Sequence, residues 1–506
     1  MSTRIINARR NIISGFANKL LSILMPFIIR TVLIKKLGMD YLGLDNLFVS
    51  ILQVLNLSEL GLSSAIVYCM YAPIAENNVK VVNAYYGFIR KAYQVIGVLV
   101  LFLGVLIIPI LPHLIRGNVP GDINLYTLFF VYLFNAVISY FLFAYKNVML
   151  SASQRVDIYN NIMSISRLAM YSLQIIVLFS FSNYYVYIIM VPLSTIINNI
   201  ITSKYVDNHF KEYRPCGKLR SEEIESLKHQ IIGLFIGKLC VITRNSFDSI
   251  IVSAYFGLVV TAIYNNYYYI MNAVVAIMAI ISASIIPGIG NSIATETVEK
   301  NYRDFMKFNF IFCWVTGCCT VLLVCLYQPF MKMWVGRSNM FSLSSAILFA
   351  IYFFVLMIGN IRAAYTEAAG LWWENKGRAI FESVANLILN VVLGKVWGVN
   401  GVIVATILTT VIINFIMSSK IIYKYYFKNI KINEYFIISL FWVIAAGISM
   451  IICLYVNKIV ELDGILELVK CSIICLCVSN TIFWVIFHKT KLYLKSKKWI
   501  VKAFER

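Results

Sequence analysis

Two lysines lie inside apolar runs and share a local pattern. Asn11–Leu20 reads NIISGFANKL, and Gln230–Leu239 reads QIIGLFIGKL. At this offset of 219 residues Ile12/Ile231, Ile13/Ile232, Phe16/Phe235, Lys19/Lys238 and Leu20/Leu239 coincide, as does Gly38/Gly257 farther along. A lysine at the centre of a bilayer is unfavourable by about 2.5–3.5 kcal/mol on the insertion scale. Placed twice, at matching sites of two halves, it points to a shared cavity that attracts negative charge. Arg30, Arg167, Arg244, Arg362 and Lys470 also fall within apolar runs. Deep acids are fewer: Glu59 and Asp248, with Asp45, Glu367 and Glu382 nearer the run ends.

Helical spacing gathers these charges into stripes. Lys19, Ser22, Pro26 and Arg30 share one face, with Lys19 and Arg30 about 16 Å apart along the axis. Pro26 removes a backbone hydrogen bond between the two cations and loosens the helix there. Asn160, Ser164, Arg167, Tyr171 and Gln174 form a second stripe, suited to a cavity wall or to a hydrogen-bonded helix seam. Lys238, Asn245 and Ser249 form a third. Arg244 and Asp248, four residues apart, serve equally as an ion pair or as ligand contacts. Glu59, on one side with Asn56 and Ser63, is a candidate for ion coupling or for pairing with a base on another span. Arg362 is a candidate cavity base or a snorkelling one. The run Tyr264-Asn265-Asn266-Tyr267-Tyr268-Tyr269 fits an interfacial aromatic belt, and Tyr264 and Tyr268 could also stack on sugar rings, as could Tyr171.

These side chains are suited to holding an anion rather than to making or breaking bonds. There is no phosphate-loop motif, no nucleophile elbow, no paired-carboxylate motif on an extended loop and no metal-ligand spacing. The eleven cysteines lie mostly within apolar runs and read as small packing residues. An enzyme is not expected, nor any cofactor beyond H⁺ or Na⁺ as a coupling ion.

The elements that position these residues are membrane spans. The chain has 506 residues, 60% of them hydrophobic, and a mean hydropathy of +0.80. Runs of about 20 apolar residues recur throughout, each long enough to cross a bilayer as a helix. Fourteen are expected, at roughly 11–34, 43–70, 86–111, 124–147, 158–180, 184–205, 229–255, 260–287, 306–328, 342–367, 378–396, 399–422, 434–456 and 465–488. The net charge of +21 resides in short loops, which argues for membrane anchoring and against nucleic acid. Of the 44 Lys and Arg, 30 fall on the side that holds both termini and 7 on the other. The positive-inside rule makes the first side cytoplasmic.

The architecture expected is all-α: residues 1–219 form one six-span lobe, 220–432 a second in parallel orientation, and 433–506 two further spans and a basic tail. Parallel repeats suit alternating access around a midplane site.

Lys19–Leu44 (KLLSILMPFIIRTVLIKKLGMDYLGL), Leu57–Ile66 (LSELGLSSAI) and Leu150–Asn161 (LSASQRVDIYNN) resemble the Wzx-type polysaccharide flippases. These belong to the multidrug/oligosaccharidyl-lipid/polysaccharide exporter superfamily, and the resemblance spans about the whole chain. It implies a multi-pass protein of the bacterial plasma (inner) membrane that flips polyprenyl-pyrophosphate-linked glycan repeat units from the inner to the outer leaflet. Polysaccharide polymerase and glycosyltransferases would be its neighbours in glycan assembly. On this reading Lys19, Arg30, Arg167, Lys238, Arg244 and Arg362 face the pyrophosphate, while Tyr171, Asn245, Tyr264 and Tyr268 face sugars. An ion-coupled multidrug exporter of the same superfamily and a lipid II flippase are the alternatives. A membrane polysaccharide polymerase or ligase fits less well, since no large loop is present to carry catalytic residues.

Overall fold

The computed structural model describes residues 3–56, 62–117, 119–459 and 464–504; within the helices some side chains, including those of 228–238, 241, 244 and 245, lie outside that description. Every regular element among the described residues is helical. The chain divides into two compact units, Met1–Ala262 and Ile263–Arg506.

The first unit contains α1 (Thr3–Lys36), α2 (Met39–Leu55), α3 (Leu62–Ala75), α4 (Val79–Ile107), α5 (Leu125–Phe141), α6 (Asn147–Ala152), α7 (Val156–Ser180), α8 (Tyr184–His209) and α9 (Ser221–Phe256), together with the start of α10 (Leu258–Thr295). Asparagines start three of these helices. The side chains of Asn78, Asn124 and Asn183 accept from backbone N–H groups of the first turns of α4, α5 and α8, satisfying donors that helix geometry leaves free. α1 packs along α7, α7 on α8, α8 on α5, α5 on α4 and α4 on α3; α2 touches α1, α4, α5 and α9. Phe48 anchors α2 edge-on against Phe129 and Tyr132. Gly43 allows α2 to approach the start of α10, since a Cβ there would meet the Leu258 carbonyl oxygen at 2.2 Å.

The second unit contains the rest of α10, then α11 (Val298–Val335), α12 (Leu343–Ile358), α13 (Asn360–Ala368), α14 (Trp372–Thr409), a π-helical segment (Thr410–Met417), α15 (Ser418–Tyr425), α16 (Asn433–Ile459), α17 (Ile465–Phe487) and α18 (Lys491–Phe504). α11 is the hub, touching α12, α16, α17 and α18. Phe310 and Cys313 of α11 pack with Trp442 of α16 and with Phe483 and Phe487 of α17. A second buried cluster joins Val321 and Cys325 to Cys453, Cys471 and Cys475. The last two spans are thus built into this unit's core.

Among the described residues nine helices are long and apolar enough to cross a membrane, or ten if α5 is joined across a 50° bend to the short helices after it. One of the nine, Trp372–Tyr425, runs for 54 residues and contains two of the expected spans. Gly398, at φ 65°, breaks it where the sequence places their boundary. The chain is an all-α polytopic membrane protein.

Candidate functional site

α1 has three distinct faces. Ile13, Phe16, Leu20, Leu24 and Ile28 are 46–59% exposed and make an apolar outer stripe. A second face is polar and meets α7. Asn11 Nδ2 donates to the Gln154 carbonyl (3.1 Å), and the Asp157 N–H donates to Asn11 Oδ1 (2.7 Å). Farther along, Asn18 Nδ2 donates to the Asn160 carbonyl (3.2 Å), while Arg167 Nη1 donates to Asn18 Oδ1 (3.0 Å). Lys19, Ser22, Pro26 and Arg30 lie on the third face, roughly 130° around the helix from the apolar stripe. Lys19 is exposed, and its ammonium has no partner among the described residues.

Arg30 leads into a second cluster. Its Nη2 donates to Asn46 Oδ1 (2.8 Å), and its charge faces the neighbouring Asp45. The Asp45 carboxylate accepts from the Tyr132 hydroxyl (2.5 Å), which lies 3.0 Å from the Tyr184 hydroxyl. Tyr187 stacks on Tyr184, with centroids 5.7 Å apart. Tyr171 lies in the fields of Arg167, Asp45 and Arg30 together. Five helices, α1, α2, α5, α7 and α8, therefore converge on two guanidinium groups and one carboxylate. Near a protein surface a unit charge pair at 4 Å interacts by about 4 kcal/mol, against about 1 in bulk water. An anion would be attracted here.

The other sequence candidates lie on other elements. Arg362, 4% exposed, donates from Nη1 to the carbonyls of Asn414 (2.6 Å) and Phe415 (3.2 Å) and from Nη2 to Asn414 Oδ1 (3.0 Å). Asn414 in turn donates to Glu382 (3.0 Å), which is ion-paired with Arg378. Arg362 thus braces the π-helical segment from inside the second unit. Tyr264 is 1% exposed against Phe349, and Tyr268, partly exposed, stacks on Tyr264 and Tyr352. Asp248 is 1% exposed on α9. Glu59 and the side chains of Lys238, Arg244 and Asn245 lie outside the described residues.

No family model and no curated protein sequence matches the chain. Solved structures do. The lipid II flippase MurJ, in an inward closed conformation, superposes with a TM-score of 0.62 at 14% identity, covering 94% of this chain and 98% of that one. A multidrug resistance MATE family transporter of the MOP superfamily, inward-facing, gives 0.60 at 13%, covering 80% and 98%. A MOP superfamily transporter from Pyrococcus furiosus, described by the reversed polarity of its binding pocket, gives 0.52 at 14%, covering 82% and 96%. The chain has the MOP-transporter fold.

Within this fold, sequence reading singled out Arg30, Arg167 and Tyr171 but not the groups that hold them. Asn18, Asn46, Tyr132 and Tyr184 are ordinary residues of membrane helices until they are brought together. Asp45-Asn46, set between the apolar LGL and LFV, carried the available signal. Lys146 was a second omission: it is 6% exposed and paired with Asp207 at 2.6 Å, with Ser203 at 2.7 Å.

Proposed function

We propose that this protein flips a polyprenyl-pyrophosphate-linked oligosaccharide from the inner to the outer leaflet of a bacterial plasma membrane, supplying surface polysaccharide assembly. The observation that carries the reading is the excess of base over acid where α1, α2 and α7 meet. Arg30 and Arg167 approach Tyr171, and the one carboxylate beside them, Asp45, is held by Tyr132 and faces Arg30. A pyrophosphate brings several acceptor oxygens and needs such donors, and guanidinium forks match phosphate oxygens two at a time. Lys19, exposed on the same face of α1, and Lys238 complete the headgroup surface in this reading. Tyrosines and asparagines nearby offer stacking and hydrogen bonds to sugars. H⁺ or Na⁺ would drive the cycle, and both termini would face the cytoplasm. A carrier of organic cations would favour the opposite sign. The Pyrococcus furiosus transporter, whose own description links pocket polarity to a different function, gives this argument a precedent within the fold.

A lipid II flippase is the second reading, and coverage favours it. The MurJ structure matches 94% of this chain, the MATE structure 80%. Both readings share a polyprenyl-pyrophosphate headgroup and differ in the glycan.

The test is flipping of fluorescent polyprenyl-pyrophosphate oligosaccharides by the purified protein in liposomes. Arg30→Ala with Arg167→Ala should slow flipping at least tenfold, about 1.4 kcal/mol, while Arg30→Lys with Arg167→Lys retains part of it. Full activity of the alanine pair would exclude these bases as the headgroup site. Efflux of cationic dyes without lipid flipping would favour the exporter.

A further inference from the structure

α18 reads KLYLKSKKWIVKAF, with five lysines and no acid. It lies against the end of α11 where Trp499 packs edge-on to Phe308 (5.3 Å) and the Lys307 ammonium lies 5.4 Å from the Trp499 ring. Tyr493 stacks on Trp314 (5.9 Å). Apolar side chains are exposed beside the lysines: Leu494, Trp499 and Val501 are 49%, 42% and 46% exposed. A helix that is cationic on one side and apolar on the other belongs at a membrane–water boundary.

Between α18 and α11 runs a groove of about 330 Å³, lined by Phe310, Ile311, Trp314 and Val315 on one wall and by Ser496 and Lys497 on the other. That volume falls within the range of small-molecule sites, about 300–1,000 Å³. Nearly all of its surface is apolar; besides the Tyr493 phenol, its α18 wall offers two adjacent polar side chains. Lys497 is exposed. Ser496 is 2% exposed, and its hydroxyl has no hydrogen-bond partner among the described residues. Ser439, Ser449 and Ser472, also helical and in this unit, each donate to the carbonyl four residues back. A buried hydroxyl without a partner is unfavourable, and rotation about χ1 would turn it toward an incoming acceptor.

We infer that this groove binds an anionic phospholipid of the surrounding bilayer, its phosphate on Ser496 and Lys497 and one acyl chain along Phe310, Trp314 and Val315. The occupant must offer oxygen acceptors and negative charge at one end and a chain at the other. Among bilayer components an anionic phospholipid meets both conditions where a helix already carries five lysines. The inference does not depend on which cargo the protein moves.

The test is native mass spectrometry of the full-length protein, delipidated in detergent and titrated with phosphatidylglycerol or phosphatidylcholine. Phosphatidylglycerol should be retained preferentially. Lys497→Gln should weaken that retention by about fivefold, the share of one lysine near an anionic surface, and Val315→Trp, which fills the groove, should abolish it with melting unchanged. Lys495→Gln and Lys498→Gln, outside the groove, should leave it in place. Equal retention of the two lipids, equal loss in the off-groove variants, unchanged retention in Val315→Trp, competition by inorganic phosphate alone, or preferential occupation by undecaprenyl phosphate would each overturn the inference.

Discussion

The Tyr132 hydroxyl ties the acid of the candidate site to the helices around it. It donates to Asp45 at 2.5 Å, on the helix that also offers Asn46 to Arg30. Tyr132→Phe leaves that carboxylate short of a donor, which should destabilise the protein by about 1–3 kcal/mol. Thermal unfolding in detergent measures this, and an unchanged melting temperature would mean that Asp45 is held by other groups. Intramembrane bases were legible in the sequence because each is improbable where it stands, so Arg30 and Arg167 could be picked out singly. Their partners were not. Tyr132 lies 87 residues from Asp45, and no helical period links positions that far apart. Arg362 shows the converse: its charge is as improbable as theirs, yet its Nη donors close on Asn414 and Phe415 within the fold.

Among the elements, the start of α9 carries a charge-dependent cap. The Glu223 carboxylate accepts from the Arg220 backbone N–H (2.8 Å) and pairs with the Arg220 guanidinium (2.9 Å). The backbone hydrogen bond, with the guanidinium adding to it, holds this carboxyl below the ordinary range. A lowered folded-state pKa contributes stability that is fully present above the ordinary carboxylate pKa and is lost as pH falls through the lowered value. The protection factors for hydrogen exchange at Ser221–Glu225, corrected for the intrinsic pH dependence of exchange, should therefore fall below about pH 4, and Glu223→Ala should show the lowered protection at neutral pH. Exchange that ignores both would remove the cap from the account. Spans were the most legible elements, since bilayer thickness fixes their length. Even the break at Gly398 lies where the sequence placed a loop. α18 was read only as a basic tail, because its apolar residues are interleaved with lysines and gain meaning from the groove they border.

At the scale of the molecule, α16 and α17 lay outside the internal repeat, and nothing in their own pattern said where they dock. The structure seats them on α11 through Trp442 and Phe483, both 0% exposed. Gly317 makes room, since a Cβ there would come within 2.7 Å of the Phe483 ring. Trp442→Ala should cost about 3–5 kcal/mol and lower the yield of folded protein from the membrane, read by size-exclusion chromatography. A normal elution profile and melting point would show this seam to be dispensable. The thiols have a practical consequence as well. Of the eleven cysteines, Cys216 and Cys477 are exposed, and Cys477 lies mid-way along α17, a membrane-span helix whose middle a water-borne reagent does not reach. Cys216, in the connection between α8 and α9, is thus a native reporter of sidedness. A membrane-impermeant maleimide should modify inverted vesicles at this one position and leave intact cells unlabelled. The reverse pattern would invert the topology assigned from the loop charges, with no engineered cysteine needed to see it.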